Sequence, residues 1–179
     1  MATNMIPEKL INAKIYDIDN SNALVAVADV DLPEIEYLSE SLSGSGIAGE
    51  YDSPTIGHTK AMKIKLKFRA VYGDDLVMVA PTPRTLDVRA SIQALDAGSS
   101  EYVPYPLRAV MVAMPLKKGL GKLDPGKKMD GELEMSVSYY KVYVDGSAVV
   151  EIDPLNFVCI IDGVDYLTTV REHLGLSTS

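Results

Sequence analysis

The stretch Met62-Lys63-Ile64-Lys65-Leu66-Lys67-Phe68-Arg69 decides the fold class of this 179-residue chain. Apolar and basic residues alternate through it without a fault. Because successive side chains of a β-strand point to opposite faces, the pattern predicts a strand with one buried and one solvent-facing side. A helix over the same residues would spread the cations around its whole circumference. The chain is therefore predicted to be built on a half-buried sheet.

Residues 132–144 carry the second strong strand pattern. The apolar residues change phase within this run, and a slip of one residue is what a β-bulge produces. They are Leu133, Met135, Val137 and Tyr139 on one face, followed by Tyr140, Val142 and Val144. Asp145-Gly146 then predicts a hairpin turn, after which residues 148–152 return as the next strand.

Weaker strand patterns follow along the rest of the chain. They lie at residues 13–18, 23–30, 34–42, 88–95, 102–116 and 157–161. Pro104 and Pro106 place the start of the fifth of these at a sheet edge or outside its ladder. Helix is predicted only for residues 74–79 and for residues 164–175, where apolar residues recur at helical spacing before Gly175. The fold class is mainly β.

We predict one domain over residues 1–179, with residues 1–12 as an N-terminal arm. Two glycine-containing stretches, residues 39–57 and 117–131, are long for connections in a compact domain. Long connections of this kind are usually functional, so both are predicted to be mobile or partner-dependent loops.

Charge and cysteine content exclude several classes. A formal net charge of −8 makes the chain a poor binder of nucleic acid, which must have its phosphates neutralised. The only cysteine, Cys159, lies in an apolar run and is predicted to be a buried, inert thiol. Residues 1–7 lack a signal-peptide pattern, and no apolar run is long enough for a transmembrane helix. We expect synthesis and folding in a cytoplasm.

Catalytic and metal-binding patterns are weak. Gly44-Ser45-Gly46-Ile47-Ala48-Gly49 fits G-x-G-x-x-G, but that pattern binds dinucleotides only between a buried strand and a helix. Pro54 follows and disfavours a helix there. His58 and His173 are the only histidines, and no metal-ligand spacing is present. The chain is predicted not to be an enzyme and to need no cofactor; a nucleotide enzyme using the glycine stretch is kept as a minor hypothesis.

Charged residues form stripes on the predicted strands. Lys63, Lys65, Lys67 and Arg69 make a basic stripe, interpreted as a solvent-facing strand side or as a surface complementary to an acidic surface on another copy. Carboxylates at i and i+2 share one strand face, and we interpret them as solvated acidic patches. These pairs are Asp29 with Asp31, Glu34 with Glu36, and Glu132 with Glu134.

The order of short sequence words carries a family resemblance. They include residues 5–12 (MIPEKLIN), 28–33 (ADVDLP), 44–50 (GSGIAGE), 138–146 (SYYKVYVDG), 150–157 (VEIDPLNF), 161–167 (IDGVDYL) and 170–176 (VREHLGL). In this order the words resemble the major tail tube protein of contractile-tailed phages, a family that includes the tube subunit of R-type pyocins. The resemblance runs from about residue 5 to residue 176.

The resemblance implies two packed antiparallel sheets forming a barrel-like sandwich, flanked by a short α-helix and carrying long inter-subunit loops. It implies hexameric rings, closed through sheet edges and stacked into a hollow tube. Implied partners are the contractile sheath protein, baseplate, tape-measure and tail-terminator proteins. In a phage, genomic DNA passes through the lumen without specific binding. The expected location is a virion or tailocin particle, without stable membrane association; a type VI secretion-like tube protein is the alternative.

Two sets of contact residues follow from the resemblance. The predicted subunit-contact loop contains Gly44, Gly46, Ile47, Gly49, Glu50, Asp52, Pro54 and His58. The predicted ring-forming strand contains Leu133, Met135, Val137, Tyr139, Tyr140 and Val142. The loop over residues 39–57 is expected to be disordered in a free subunit and ordered in the tube.

Overall fold

The computed structural model describes residues 4–21, 23–25, 27 and 29–176. The strands are β1 (Met5–Asp17), β2 (Ala23–Val25), β3 (Asp29–Asp31), β4 (Tyr37–Ser43), β5 (Glu50–Thr59), β6 (Met62–Phe68), β7 (Arg84–Asp96), β8 (Glu101–Gly119), β9 (Gly131–Val144), β10 (Ser147–Asp153), β11 (Val158–Ile161) and β12 (Val164–Asp165). The helices are α1 (Gly73–Val77) and α2 (Thr168–His173). The predicted mainly β fold with two antiparallel sheets and short helices is confirmed.

The larger sheet has ten strands and forks at β9. Its main path runs β12-β11-β10-β9-β8-β7-β1-β2, while β6 pairs with β9 off this path and β3 pairs with β6. The path through β8 ends at β2, and the branch through β6 ends at β3. These two strands are neighbours along the chain, so this part of the sheet curls around one core. The second sheet is the pair β4 and β5.

The alternation of apolar and basic residues in 62–69 corresponds to alternating burial along β6. Met62, Ile64, Leu66 and Phe68 are all buried in the core, while the lysines between them face outward. β6 pairs with β9 from Met62 opposite Val137 to Phe68 opposite Gly131. The predicted strand and its buried face are therefore confirmed.

A β-bulge marks the fork. Val112 of β8 pairs with Tyr139 of β9, but the next residue of β8, Ala113, pairs with Val137. Ser138 is the extra residue, and it lies between the end of the β6 ladder at Val137 and the start of the β10 ladder at Tyr140. The apolar phase shift in the sequence thus marks the point at which β9 changes partners on one edge.

Opposite charges face one another across the outer side of β3, β6 and β9. Lys65 lies opposite Asp31 of β3 on one side and Glu134 of β9 on the other. Lys63 Nζ lies 2.8 Å from a Glu134 oxygen, and Lys67 Nζ lies 2.9 Å from an Asp31 oxygen. Opposite charges across neighbouring strands favour their pairing. The three lysines of the basic stripe therefore face carboxylates of their own chain, and the acidic patches on β3 and β9 are partly neutralised.

The structure places four of the predicted segment boundaries differently. Residues 5–12 are not an arm but the first part of β1, paired with β7, and residues 1–3 lie outside the described residues. Residues 117–119 continue β8. The helix predicted for residues 164–175 is shorter, because Asp162 and Gly163 both adopt positive φ and turn the chain into the hairpin β11–β12. Residues 39–57, predicted as a mobile or partner-dependent loop, belong to the β4–β5 hairpin, and their ordering on assembly remains a prediction.

A buried carboxylate organises the outer face of β7 and β8. Asp87 is 0% exposed, although it lies on the side of β7 away from the core. Arg108 Nε donates to Asp87 at 2.8 Å, and Arg89 Nη2 lies 2.7 Å from the same carboxylate. Burial would raise the pKa of Asp87, but these hydrogen bonds outweigh it and the pKa lies below its ordinary value.

This pKa shift predicts a defined pH dependence of stability. A lowered folded pKa contributes stability above the unfolded value of about 3.9 and loses it as pH falls through the folded pKa. We expect Asp87→Asn to lower the free energy of unfolding by about 1–2 kcal/mol at neutral pH, with a shallower fall below about pH 4. Urea unfolding across acidic pH measures both. Asp124→Asn, in an exposed pair, is the control and should change stability by about 0.5 kcal/mol or less; equal effects of the two variants would contradict the prediction.

Candidate assembly surfaces

The hairpin of β4 and β5 lies apart from the core. Every side chain of β4 is exposed, and the strands pair from Tyr37 opposite Thr59 to Ser43 opposite Glu50. A two-stranded hairpin is marginally stable by itself in water. Its apolar side chains, which include Leu38, Leu42 and Ile56, are largely exposed. The hairpin therefore presents apolar surface that its own chain does not bury.

The eight residues of the predicted contact loop lie together on this hairpin. Gly44, Gly46, Ile47 and Gly49 form the tip, Glu50, Asp52 and Pro54 lie on β5, and His58 lies near its base. All eight are exposed. The glycine stretch joins two strands, so it lacks the strand-to-helix junction that a dinucleotide site requires.

The base of the hairpin is fixed against β11 and the segment before α2. Gly57 has a φ of +67°, and a Cβ placed on it would lie 2.6 Å from the buried side chain of Leu167. Beside this contact, Tyr37 and Cys159 line an apolar groove of about 320 Å³. Cys159 is buried, as predicted; burial raises the pKa of its thiol, although a hydrogen bond with Tyr37 acts in the opposite direction. The hairpin is thus held at its base and exposed along its length.

We predict that Gly57→Ala loosens this base. The added methyl group meets Leu167 and is also strained by the positive φ, which costs about 1–2 kcal/mol by itself. Hydrogen exchange should become faster in residues 37–59 than in the wild-type chain. Gly146→Ala is the matched control, since Gly146 has a φ of +77° but open space around it. Unchanged exchange in the hairpin of Gly57→Ala would contradict the prediction.

The predicted ring-forming strand is internal to the subunit. Leu133, Met135, Val137 and Tyr140 are buried in the chain's own core. β9 pairs with β8 on one edge, and with β6 and then β10 on the other. Its edges are therefore occupied along most of its length, and we withdraw β9 as a ring contact. The alternation that makes the strand conspicuous in the sequence reflects burial within one subunit.

A second unpartnered surface is the far end of β1, β7 and β8, formed by residues 5–12, 91–96 and 101–106. Ile6, Leu10 and Tyr102 are each more than half exposed there. The ladder between β8 and β9 begins only at Leu107, so Pro104 and Pro106 lie where β8 pairs with β7 alone. This confirms the edge position predicted from the two prolines. Because proline has no backbone N–H, this edge lacks two hydrogen-bond donors and is a poor template for further strand pairing.

Metal-binding clusters and membrane-spanning helices are both absent from the described ranges. There, no cluster of three or more histidine, cysteine, aspartate or glutamate side chains could hold a metal ion. Nor does that part of the chain contain a helix with the length and apolar character needed to cross a membrane.

Comparison with known proteins points to one family. The sequence profile of a family described as Phage tail tube protein FII matches residues 7–175. The major tail tube protein of Serratia phage KSP20 is 24% identical over 177 residues, covering 96% of this chain and 98% of that protein.

Solved structures show the same fold. A chain of the sheath-tube complex of an extracellular contractile injection system, PVC, superposes with a TM-score of 0.53 at 11% identity, covering 77% of this chain and 92% of that one. A chain of the PVC sheath/tube terminator gives a TM-score of 0.52 at 11% identity, covering 76% and 96%. With the profile matching nearly the whole length, the chain belongs to the family of phage tail tube protein FII.

Proposed function

We propose that the chain is the structural subunit of the inner tube of a contractile phage tail or of a phage-tail-like particle. Six copies close a ring, and rings stack into a hollow tube. The observation that carries this proposal is the β4–β5 hairpin, whose fully exposed β4 and apolar side chains need a partner from another copy. Family membership supports the tube role.

The wider partners follow from the role. A contractile sheath surrounds the tube, a baseplate lies at one end and a terminator at the other, and a tape-measure protein occupies the lumen during assembly. Chains with this fold occur in a sheath-tube complex and in a sheath/tube terminator. The subunit acts by assembly and not by catalysis, in a particle built in the bacterial cytoplasm.

In a phage, the tube conducts DNA without binding it. The formal charge of −8 per subunit would repeat in every ring. Retention of DNA depends on neutralising phosphates with Lys and Arg, and an acidic tube does the reverse. The proposed contact residues on the hairpin, among them Glu50 and Asp52, contribute to this acidity.

Negative-stain electron microscopy of the purified chain tests the proposal. Sixfold rings and stacked tubes are the expected result, with ring mass measured by light scattering. A variant in which residues 44–49 are replaced by Asn-Gly, a favoured two-residue turn, should fold but stack poorly. Monomers alone, at every concentration and salt condition tried, would contradict the proposal.

A further inference from the structure

A large groove opens where the curled sheet leaves a seam between β1–β2 and the segment after β6. We call it the seam groove; its volume is about 830 Å³. Four of its apolar wall residues are more than half exposed, with Leu10 at 58% and Tyr72 at 64%. The other two are Ile11 and Leu24. Soluble chains rarely leave contiguous apolar surface of this kind uncovered without a partner.

One wall of the seam groove is strand backbone. β1 lines it from Leu10 to Lys14, whereas β2 pairs with β1 only from Ile15 to Asp17. Among the described residues, no strand covers this outer edge of β1 before Ile15. An extended segment from another chain could therefore pair there while its side chains enter the groove.

The hairpin and the seam groove lie at opposite ends of β6. β5 ends at Thr59, just before Met62 begins β6, while Arg69, Val71 and Tyr72 follow the other end and line the groove. Seven strand residues separate these ends by about 20 Å. No residue from 37 to 59 lines the groove in the described chain. The subunit thus leaves its own hairpin and its own groove unmatched.

The two surfaces are also complementary in charge. The hairpin exposes Glu40, Glu50 and Asp52. The groove exposes Lys14 and Arg69, and neither forms an ion pair within the part of the chain that the structure describes. Asp29 and Asp75 also lie on the groove wall. Asp29 is opposite Lys67 in the ladder, although the Lys67 ammonium contacts Asp31, and Asp75 is buried, so Lys14 and Arg69 are the exposed cations that a partner would meet.

We infer that the seam groove receives the β4–β5 hairpin of a second copy, placed end to end with the first. Because the two surfaces differ and lie at opposite ends of β6, the contact is head-to-tail and can repeat without limit. That is the contact needed between successive rings of a tube. The inference rests on the proposed tube function and names the surface by which rings would stack.

Chemical crosslinking between engineered cysteines tests the inference. The variant carries Ile47→Cys at the hairpin tip and Leu10→Cys in the groove, and assembled protein is treated with a short bis-maleimide. The buried Cys159 should remain unreactive. We expect a ladder of covalent multimers that extends beyond the dimer, because every hairpin meets a different copy's groove. Each single-cysteine variant should give no ladder.

The matched control combines Ile47→Cys with Leu155→Cys, an apolar residue 76% exposed in the turn before β11. It should give no ladder. Tubes that form without crosslinks through Leu10, or crosslinks that stop at the dimer, would overturn the inference and leave the tube function standing. Failure to form rings or tubes would overturn both.

Charge exchange provides an independent readout. Lys14→Glu with Arg69→Glu, or Glu50→Lys with Asp52→Lys, should each shorten or abolish tubes while leaving the subunits folded. Combining all four changes restores opposite charges and should restore tube length. A combined variant no better than either pair would overturn the inference.

Discussion

A chain carrying Val142→Pro should fail to fold, and not merely fail to assemble. Val142 lies in β9 opposite Ala109 of β8 and Val150 of β10, so both edges of the strand are occupied at this residue. Its N–H therefore points at a neighbouring strand in either orientation, and proline removes that donor. The expected loss, about 3 kcal/mol or more, is a large part of the 5–15 kcal/mol that stabilises a typical domain. Soluble yield and cooperative unfolding followed by circular dichroism measure it.

Tyr102→Pro is the matched control. Tyr102 lies at an alternate position of β8 from Pro104 and Pro106, so its backbone N–H has the same orientation as their ring nitrogens. This part of β8 pairs only with β7. Two prolines of the same phase are already accommodated there, so a third should leave the subunit folded and close to wild-type stability. A Val142→Pro chain that folds normally but forms no tube would reinstate β9 as the ring-forming strand.

The sequence predicted those elements whose burial is completed within one chain. Residues 62–69 alternate because one face of β6 meets the core and the other meets solvent. The phase shift within residues 132–144 was readable because the bulge at Ser138 moves the buried set by one residue. In both cases a local pattern records a contact that the subunit makes with itself.

The elements that the sequence did not predict lack such a local pattern. β4 and most of β5 are exposed on both faces, so residues 39–57 show no clear alternation and were interpreted as a loop, and residues 34–42 gave only a weak strand pattern. The first part of β1 is exposed in the same way. The place of β9 inside the sheet depends on long-range pairing, which no local pattern contains. For an assembling protein, weak periodicity beside unburied apolar residues is itself a signal of surfaces completed by another copy.

Gly121→Ala should destabilise the subunit by several kcal/mol. Gly121 lies where the two ends of the loop between β8 and β9 (residues 120–130) are hydrogen-bonded to each other, a region that we call the neck of this loop. A Cβ on Gly121 would lie 1.8 Å from the carbonyl oxygen of Met129, and the φ of +82° adds about 1–2 kcal/mol of backbone strain. Lys122 N donates to that carbonyl at 2.7 Å, and Met129 N donates to the carbonyl of Arg69 at 2.8 Å. The methyl group cannot fit unless these hydrogen bonds separate. Urea unfolding measures the loss.

Gly126→Ala distinguishes an effect at the neck from an effect elsewhere in the loop. Gly126 has nearly the same φ, +81°, but nothing lies near its missing Cβ, so only the backbone strain of about 1–2 kcal/mol should appear. The difference between the two variants is the cost of opening the neck. Because the neck is bonded to Arg69, which lines the seam groove, Gly121→Ala should also impair tube formation while Gly126→Ala retains it. Equal losses in stability and assembly would show that the neck does not hold the groove wall in place.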